Sequence, residues 1–582
     1  VRRVSAGAWV FRKLNRVNTP TQPDQEVDWL VFGSGAGGLC AALVGRLEGL
    51  DVLLCEKSPL IGGTTATSGG TIWIPGSHQS RLTPTPDDLD AARLYLEGEL
   101  GNDGASELRE ALLNSGPEML DYLESRSEVR FKANSPYPDY HAERPGGAQG
   151  GRALSPLPFD GRLLGSDFSM LRPPRDEFMV LGGMMVGRDE IRHLIRPWRS
   201  WQSLRMTSRI VGRYARDRLS YPRGTRLLLG NALVGRLLYS YRSLGGRVAL
   251  NTALQGLWVE GGRVLGATVR VGSGERRVRA RRGVVLATGG PSSSASWRKR
   301  LLPGRDLPWS LAFDGNTGDG LDAGLAVGAV LDTRHASPFF WMPASRLDRA
   351  TLPPVIYPHI RDRPKPGLIA VRDDGKRFVN EGNSYHDFVS ALFAASPDSQ
   401  TPHAWLICDR QFVRDFGLGV IHPVWQHLPF FERAGYLHSA GTLEALAGKT
   451  GIDAQALQST VKHYNADATA GRDRAFGKGE LALNRYNGDP DTAPNRCLRP
   501  IEAAPFYAVR VIPAPIGSSV GLLADAEGRV LDESRVPIEG LYACGNDMSS
   551  VMGGHYPGPG ITLGPAMVFA YRAARHAATV RG

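Results

Sequence analysis

Val27-Asp28-Trp29-Leu30-Val31-Phe32-Gly33-Ser34-Gly35-Ala36-Gly37-Gly38-Leu39-Cys40-Ala41-Ala42-Leu43-Val44, followed by Val52-Leu53-Leu54-Cys55-Glu56, decides the fold. The first six residues are apolar apart from Asp28 and read as a short buried strand. Gly33, Gly35 and Gly38 then stand at GxGxxG spacing, and the apolar residues after them recur with a helical period. A second apolar strand ends in Glu56, about where the dinucleotide fingerprint expects an acid. Gly33 permits the tight turn, Gly35 lets backbone approach a pyrophosphate, and Gly38 lets the helix pack closely on the strand. Unpaired N–H groups around Ala36 and Gly37, at the positive end of the helix dipole, suit the phosphates. Glu56, with Lys57 beside it, is expected to accept hydrogen bonds from an adenosine ribose.

The residues C-terminal to Lys57 point to FAD rather than NAD. Ile61-Gly62-Gly63-Thr64-Thr65-Ala66-Thr67-Ser68-Gly69-Gly70 is a small, hydroxyl-rich loop that can track a long cofactor from pyrophosphate to ring. Gly283 to Leu286 reads as a strand running into Ala287-Thr288-Gly289-Gly290, and Gly540 to Gly545-Asn546 repeats that pattern. Ala253, Asp319, Thr562 and Leu563 complete the expected cofactor contacts. No second fingerprint of comparable quality appears, so a dedicated NAD(P)H domain is not expected. No histidine aligns with a flavin-linking position, so the FAD is expected to be non-covalent.

Of the 582 residues 42% are hydrophobic and 22% charged, a globular balance that argues against disorder. Cys40, Cys55, Cys408, Cys497 and Cys544 are scattered, with no CxxC. Free thiols in a reducing, cytoplasmic setting are expected, with no disulfide framework and no metal. No run approaches the roughly 20 apolar residues of a membrane-spanning helix. Residues 1–26 read as a disordered leader without a signal-peptide core. The formal charge of +11 is unevenly spread: between Arg188 and Arg226, eleven arginines stand against Asp189, Glu190 and Asp217. Trp198, Trp201 and several aliphatics interleave with them. The segment therefore reads either as an interfacial, peripheral membrane-contacting helix or as a solvated helix paired with acids elsewhere. Nothing in it resembles a nucleic-acid module.

The fold class expected is α/β: a discontinuous Rossmann-like FAD-binding domain with an inserted α+β substrate domain. The boundaries are 27–310 and 518–582 for the FAD-binding domain, with 188–226 as an excursion, and 311–517 for the insertion. Within the insertion, Val371 to Glu381 reads as a hairpin with an Asp374-Gly375 turn.

Gly62-Gly63-Thr64, Asn316-Thr317-Gly318-Asp319-Gly320 and Gly375-Lys376-Arg377-Phe378-Val379-Asn380-Glu381, with the Gly33 turn, resemble the fumarate reductase/succinate dehydrogenase-like flavoproteins. Within that superfamily the chain looks most like the 3-ketosteroid Δ1-dehydrogenases. The carrying blocks are His555-Tyr556-Pro557-Gly558-Pro559-Gly560-Ile561-Thr562-Leu563, Ser68 to Pro75, and Tyr137-Pro138-Asp139-Tyr140 with Pro145-Gly146-Gly147. The resemblance implies removal of hydrogens from C1 and C2 of a 3-oxosteroid ring A, with hydride to flavin N5 and the C2 proton to a tyrosine. Tyr556 and Gly560 match the pair that binds the C3 oxygen, Tyr385 matches the base and Tyr140 its helper. The family usually has proline before the base tyrosine, and here Ser384 stands there. His555 and His141 read as structural neighbours of these tyrosines. Phe339, Phe340 and Trp341 read either as a steroid slot or as core.

A tyrosine pair is chemically reasonable: a phenol of pKa about 10 is a poor base alone, and a donated hydrogen bond favours its phenolate. The expected partners are a steroid and an external electron acceptor such as a quinone. Three alternatives stand beside this reading. They are a sibling desaturase acting at C4–C5 of a 5α-3-oxosteroid or on a smaller cyclic ketone, a fumarate-reductase-like enzyme, and a membrane-docked electron-carrying flavoprotein.

Overall fold

The computed structural model describes residues 23–580, apart from 85–86, 102–104, 196 and 424–425. Most of the expected leader lies outside the described residues. Its last two positions, Gln25 and Glu26, already pair with Val278 and Arg279.

The Val27–Glu56 stretch forms the centre of the first body. Strand Gln25–Phe32 lies parallel between Val52–Cys55 and the long strand Gly274–Leu286. Arg247–Ala249 extends this sheet in parallel on one side. On the other, Gly274–Leu286 pairs in parallel with Pro537–Ala543 and antiparallel with Arg263–Val271, which in turn pairs with Thr252–Glu260. The sheet is thus mixed, and three chain segments far apart in sequence build it, as the discontinuous domain requires. Helix Ala36–Leu47 is buried on nearly every side, against helices Leu229–Ser243 and Leu563–Thr579. That explains its all-round small and apolar composition.

Two glycines make the turn possible. Gly33 adopts φ +98°, and a Cβ there would sit 2.1 Å from the Ala287 carbonyl oxygen. A Cβ on Gly38 would sit 1.8 Å from the Gly33 carbonyl oxygen. Helix, turn and neighbouring strand therefore meet backbone to backbone.

The second body is an antiparallel sheet in the order Val355–Pro358, Phe339–Leu347, Phe506–Ser518, Ala404–Asp409, Leu368–Val371, with His438–Ala440 also on Phe506–Ser518. Helix Tyr385–Ala395 packs on Phe339–Leu347. Helix Asp319–Leu325 falls inside the 311–517 span, yet its Leu321 and Ala323 belong to the core of the first body.

One local expectation is corrected. Asp374-Gly375 does turn the chain, with Gly375 at φ +69°, but the second arm is a single bridge, Val371 to Arg377, and not a strand. The physical reason is Glu381, which is fully buried and accepts from Ala370 N and from Arg377 while Arg377 also pairs with Asp473. A buried carboxylate must be satisfied this way, and the demand pulls the arm off a ladder. The 339–341 aromatics are core: Phe339 and Trp341 pack in the second body and Phe340 in the first.

Overpacking costs about 1–3 kcal/mol, and a backbone contact this tight stands at the upper end. Gly38→Ala is therefore expected to lower Tm by up to about 5 °C and to reduce co-purifying flavin. Calorimetry and the ratio of 450 nm to 280 nm absorbance check both.

Candidate functional site

One cavity of about 1200 Å³ runs along the C-terminal ends of the parallel strands and into the cleft between the bodies. That exceeds the roughly 300–1,000 Å³ of a pocket for one drug-sized ligand. Its two halves differ in chemistry.

The first half suits a dinucleotide. Gly33, Gly35, Ala36, Gly37, Glu56, Lys57, Gly63, Thr64, Thr65, Ser68, Gly69, Gly70, Ala287, Thr288, Gly289, Asp319, Gly545, Asn546, Thr562 and Leu563 all line it. Helix Ala36–Leu47 begins at Gly35 with no side-chain cap. A buried helix start without a cap is an anion site. Thr65 Oγ1 accepts from Ala36 N at 3.0 Å and joins the glycine-rich loop to that helix. Glu56 is buried; it accepts from Ser34 N at 3.1 Å, Ser34 Oγ at 2.6 Å and Ser58 N at 2.9 Å. These bonds orient its carboxylate at the cavity wall. Lys57 and Asp319 pair with each other at 2.7 Å. Asn316 donates to the Gly289 carbonyl at 3.0 Å.

Three expected cofactor residues do not line the cavity. Gly38 acts in packing, Gly62 donates its N–H to Ser34 Oγ at 2.9 Å, and Ala253 lies between Thr252 and Leu254, which do line it. Strand alternation puts Ala253 on the other face. Asp547 was not anticipated. It is buried and accepts from Thr288 N, from Thr288 Oγ1 at 3.0 Å and from Gly290 N at 3.1 Å, so it fixes the turn that edges the cavity. Burial holds its carboxyl up at about 6.

The second half collects tyrosines. Tyr140, Tyr385, Tyr556 and Gly560 all border the cavity. Tyr140 donates to the Tyr385 hydroxyl at 3.0 Å, across 245 residues of sequence. The Tyr140 and Tyr556 rings stack at 5.6 Å, and Tyr385 meets the edge of each. Three of the four sit on the first body: Tyr140 N donates to the Pro557 carbonyl at 2.8 Å, joining its loop to the Tyr556–Gly560 segment. Tyr385 alone comes from the second body, at the first turn of helix Tyr385–Ala395.

Ser384, where a proline is usual, is the N-cap of that helix: its hydroxyl accepts from Asp387 N at 3.1 Å. The Ser-x-x-Asp pattern is a readable cap signal. Gly560 has φ +97° and its absent Cβ would strike the Ile72 backbone; its N–H has no partner among the described residues.

Burial pushes the Tyr385 phenol well above its ordinary value, and the fields of Tyr556 and Tyr137 push the same way. Its hydrogen bond to Tyr556 adds to the rise, and the hydrogen bond from Tyr140 opposes it. Burial also raises Tyr140 well above its ordinary value, and it takes Tyr556 up to about 12. At neutral pH, therefore, Tyr140 and Tyr556 are protonated donors. His386, not singled out in the sequence, is lowered by burial to about 4 and is neutral beside Tyr556. His141 bridges Glu99 and Asp387 just behind the pair.

Beyond the tyrosines the wall is largely apolar, with Met179, Met184, Met185, Val186, Leu194, Val211 and Met342, and Arg175, Glu177 and Arg361 also border it. Phe178, Val180, Leu181 and Ile191 also border it and are themselves solvent-exposed. Next to them stand Trp198, 83% exposed, and Trp201, 78% exposed, with exposed Arg199, Arg205 and Arg209. Other arginines of the segment are engaged: Arg226 pairs with Glu190 at 2.7 Å, and Arg223 is buried over Phe168. Among the described residues no helix is long and apolar enough to cross a membrane, and no group of acids, histidines and cysteines could hold a metal.

The FAD binding domain family matches residues 28–563. The chain is 37% identical to the 3-oxosteroid 1-dehydrogenase of Mycolicibacterium smegmatis, over 94% of this chain and 97% of that one. It is 35% identical to the 4-oxocyclohex-2-ene-1-carboxylate 5-dehydrogenase of Sinomonas cyclohexanicum, over 95% and 93% respectively. Among solved structures, 3-ketosteroid Δ1-dehydrogenase from Sterolibacterium denitrificans, in complex with 1,4-androstadiene-3,17-dione, superposes with a TM-score of 0.89. It is 35% identical over 95% of this chain and 99% of that one.

Charge-assisted hydrogen bonds contribute about 1.5–3 kcal/mol, which is about 10- to 100-fold in Kd. Glu56→Gln is expected to weaken FAD retention to that extent by releasing Ser34 and Ser58. Titration of the flavin-free variant with FAD, read by flavin fluorescence, measures it.

Proposed function

We propose, since the chain belongs to the family of FAD-binding 3-oxosteroid 1-dehydrogenases, that it desaturates ring A of a 3-oxosteroid between C1 and C2. The observation that carries the proposal is the Tyr140-to-Tyr385 hydrogen bond beside Tyr556 and the unpartnered Gly560 N–H, all on one cavity. Tyr556 O–H and Gly560 N–H hold the ring carbonyl oxygen and stabilise the enolate-like charge that grows there as the adjacent carbon loses its proton. Tyr385 takes that proton, and Tyr140 donates to the Tyr385 oxygen and so favours its ionised form. FAD, when bound, supplies the hydride acceptor; the uncapped Gly35–Gly37 turn, Glu56 and the Thr64–Gly70 loop would hold it. An external acceptor, a quinone or similar, then takes up the electrons.

The apolar half of the cavity favours a steroid over a small oxo acid. Lys57 is spent on Asp319, and Arg175 on the Leu311 and Ile356 carbonyls.

The chain contacts a membrane peripherally through the 188–226 segment. Exposed tryptophans and arginines beside an apolar cavity edge support this, since such surfaces bind anionic lipid interfaces. Five buried free cysteines support a reducing, cytoplasmic setting.

Anaerobic mixing with a 3-oxo-4-ene steroid should bleach the flavin, with a Δ1 product by NMR. A 5α-3-oxosteroid or 4-oxocyclohexanecarboxylate as the faster substrate would overturn the C1–C2 assignment. Tyr385→Phe should slow bleaching by at least about 100-fold. The wild-type rate should rise from neutral to alkaline pH, because the raised Tyr385 phenol must ionise. Tyr140→Phe removes the opposing hydrogen bond and should move that rise to still higher pH.

Vesicles containing phosphatidylserine should co-sediment the protein at low salt. Binding should fall with added salt and in Trp198→Ser/Trp201→Ser. Absence of binding at low salt overturns the membrane contact.

A further inference from the structure

Tyr140 and Tyr385 belong to different bodies, and a 3.0 Å bond between their hydroxyls requires those bodies to keep a fixed spacing. His141, the next residue after Tyr140, spans the same junction. Its Nδ1 lies 2.7 Å from Glu99 Oε2, on helix Leu89–Leu100 of the first body. Its Nε2 lies 3.0 Å from Asp387 Oδ2, two residues beyond Tyr385 on the helix of the second body. We infer that His141 is a positioning residue for this reaction, a charged clamp that sets the Tyr140–Tyr385 contact from behind.

The chemistry of the contacts dictates the charge. An ionised carboxylate only accepts, so two carboxylates on one imidazole require both ring nitrogens to carry protons. A neutral ring can hold one arm alone, and its bare nitrogen repels the other carboxylate. The groups facing His141 are consistent with a held cation. Helix Leu89–Leu100 presents Glu99, which also pairs with Arg144 at 2.9 Å, and Tyr95, whose hydroxyl accepts from His141 N at 3.3 Å. Helix Tyr385–Ala395 presents Asp387 and the neutral His386. Arg144 and Tyr140 lie on the loop of His141 itself.

Burial pulls the imidazole down, but the hydrogen bonds and charges of Asp387 and Glu99 prevail and raise it to about 10. A histidine raised this way keeps its clamp at neutral pH and loses it as pH rises through that folded value. The arms also need ionised carboxylates, and His141 holds Asp387 below its usual range.

The inference rests on the proposed dehydrogenation, because the clamp acts only through the proton step. The test is anaerobic flavin reduction by a 3-oxosteroid, unlabelled and deuterated at C2, in wild type, His141→Gln, His141→Arg and Asp387→Asn. A misplaced group costs up to about 100-fold in rate. His141→Gln is expected to slow reduction by about 10- to 100-fold and to raise the C2 isotope effect, with FAD content and steroid affinity unchanged. His141→Arg, whose fork reaches two carboxylates, should recover most of the rate. Asp387→Asn, which cuts one arm, should show the same raised isotope effect, and it carries the test should His141→Gln not fold. Equal rates in wild type and these variants overturn the clamp alone. So does a loss that leaves the isotope effect unchanged and that His141→Arg does not relieve, which marks simple packing. A wild type that no 3-oxosteroid bleaches overturns the reaction and the clamp with it.

Discussion

Backbone meeting backbone at Gly33, Gly38 and Ala287 is the constraint on which the rest depends. No side chain fits between the first strand, the first helix and the strand Gly274–Leu286 at that point. The contact brings a buried helix start to the edge of a parallel sheet, where Thr65 takes up the Ala36 N–H and Gly35, at the N-cap, offers no side chain. It also aligns the Ala287–Gly290 turn with the Gly545–Asn546 turn, although more than 250 residues separate them, and Asp547 fastens the two. The cofactor half of the cavity results from this one approach of chain to chain.

The parts legible in the sequence are those whose physics is local. A GxGxxG turn between an apolar strand and an apolar helix has few other uses, and Glu56 stands at the right distance from it. The Tyr556–Gly560 block is picked out by its resemblance to a family signature, since a Tyr among Pro and Gly is by itself as readily a packed aromatic. Ser384 looks like a break in pattern, yet it does through a hydroxyl cap what a helix start requires; the Asp three residues later is the signal. The Ala253 side chain turns away from the cavity that Thr252 and Leu254 line, because strand alternation cannot be phased without the pairing register. The 371–381 hairpin shortens to one bridge where Arg377 is shared between Glu381 and Asp473, and Asp473 lies far outside any window that holds the turn. Asp547 and the Glu99–His141–Asp387 bridge are hidden for the same reason.

The tyrosine cluster sits in surroundings that oppose ionisation, and this sharpens the role of each hydroxyl. Burial disfavours charge on all three phenols; the hydrogen bond donated by Tyr140 is what opposes burial at Tyr385, while Tyr140 itself has no such help. The same dryness strengthens the donors at Tyr556 and Gly560, because low dielectric magnifies a dipole aimed at developing charge. One environment therefore restrains the base and reinforces the oxyanion site.

The division of these groups between the two bodies has a mechanical side. Tyr556, Gly560, Thr562 and Leu563 lie on one short stretch of chain, so the carbonyl anchor and the cofactor wall are graduated on a single rigid ruler. Tyr385 is brought to that ruler by the other body. A small slip between the bodies would alter the reach of the base and leave the anchor's spacing to the cofactor wall intact. Errors of assembly would thus decouple the two halves of a desaturation, proton from hydride, before they dislodged the substrate.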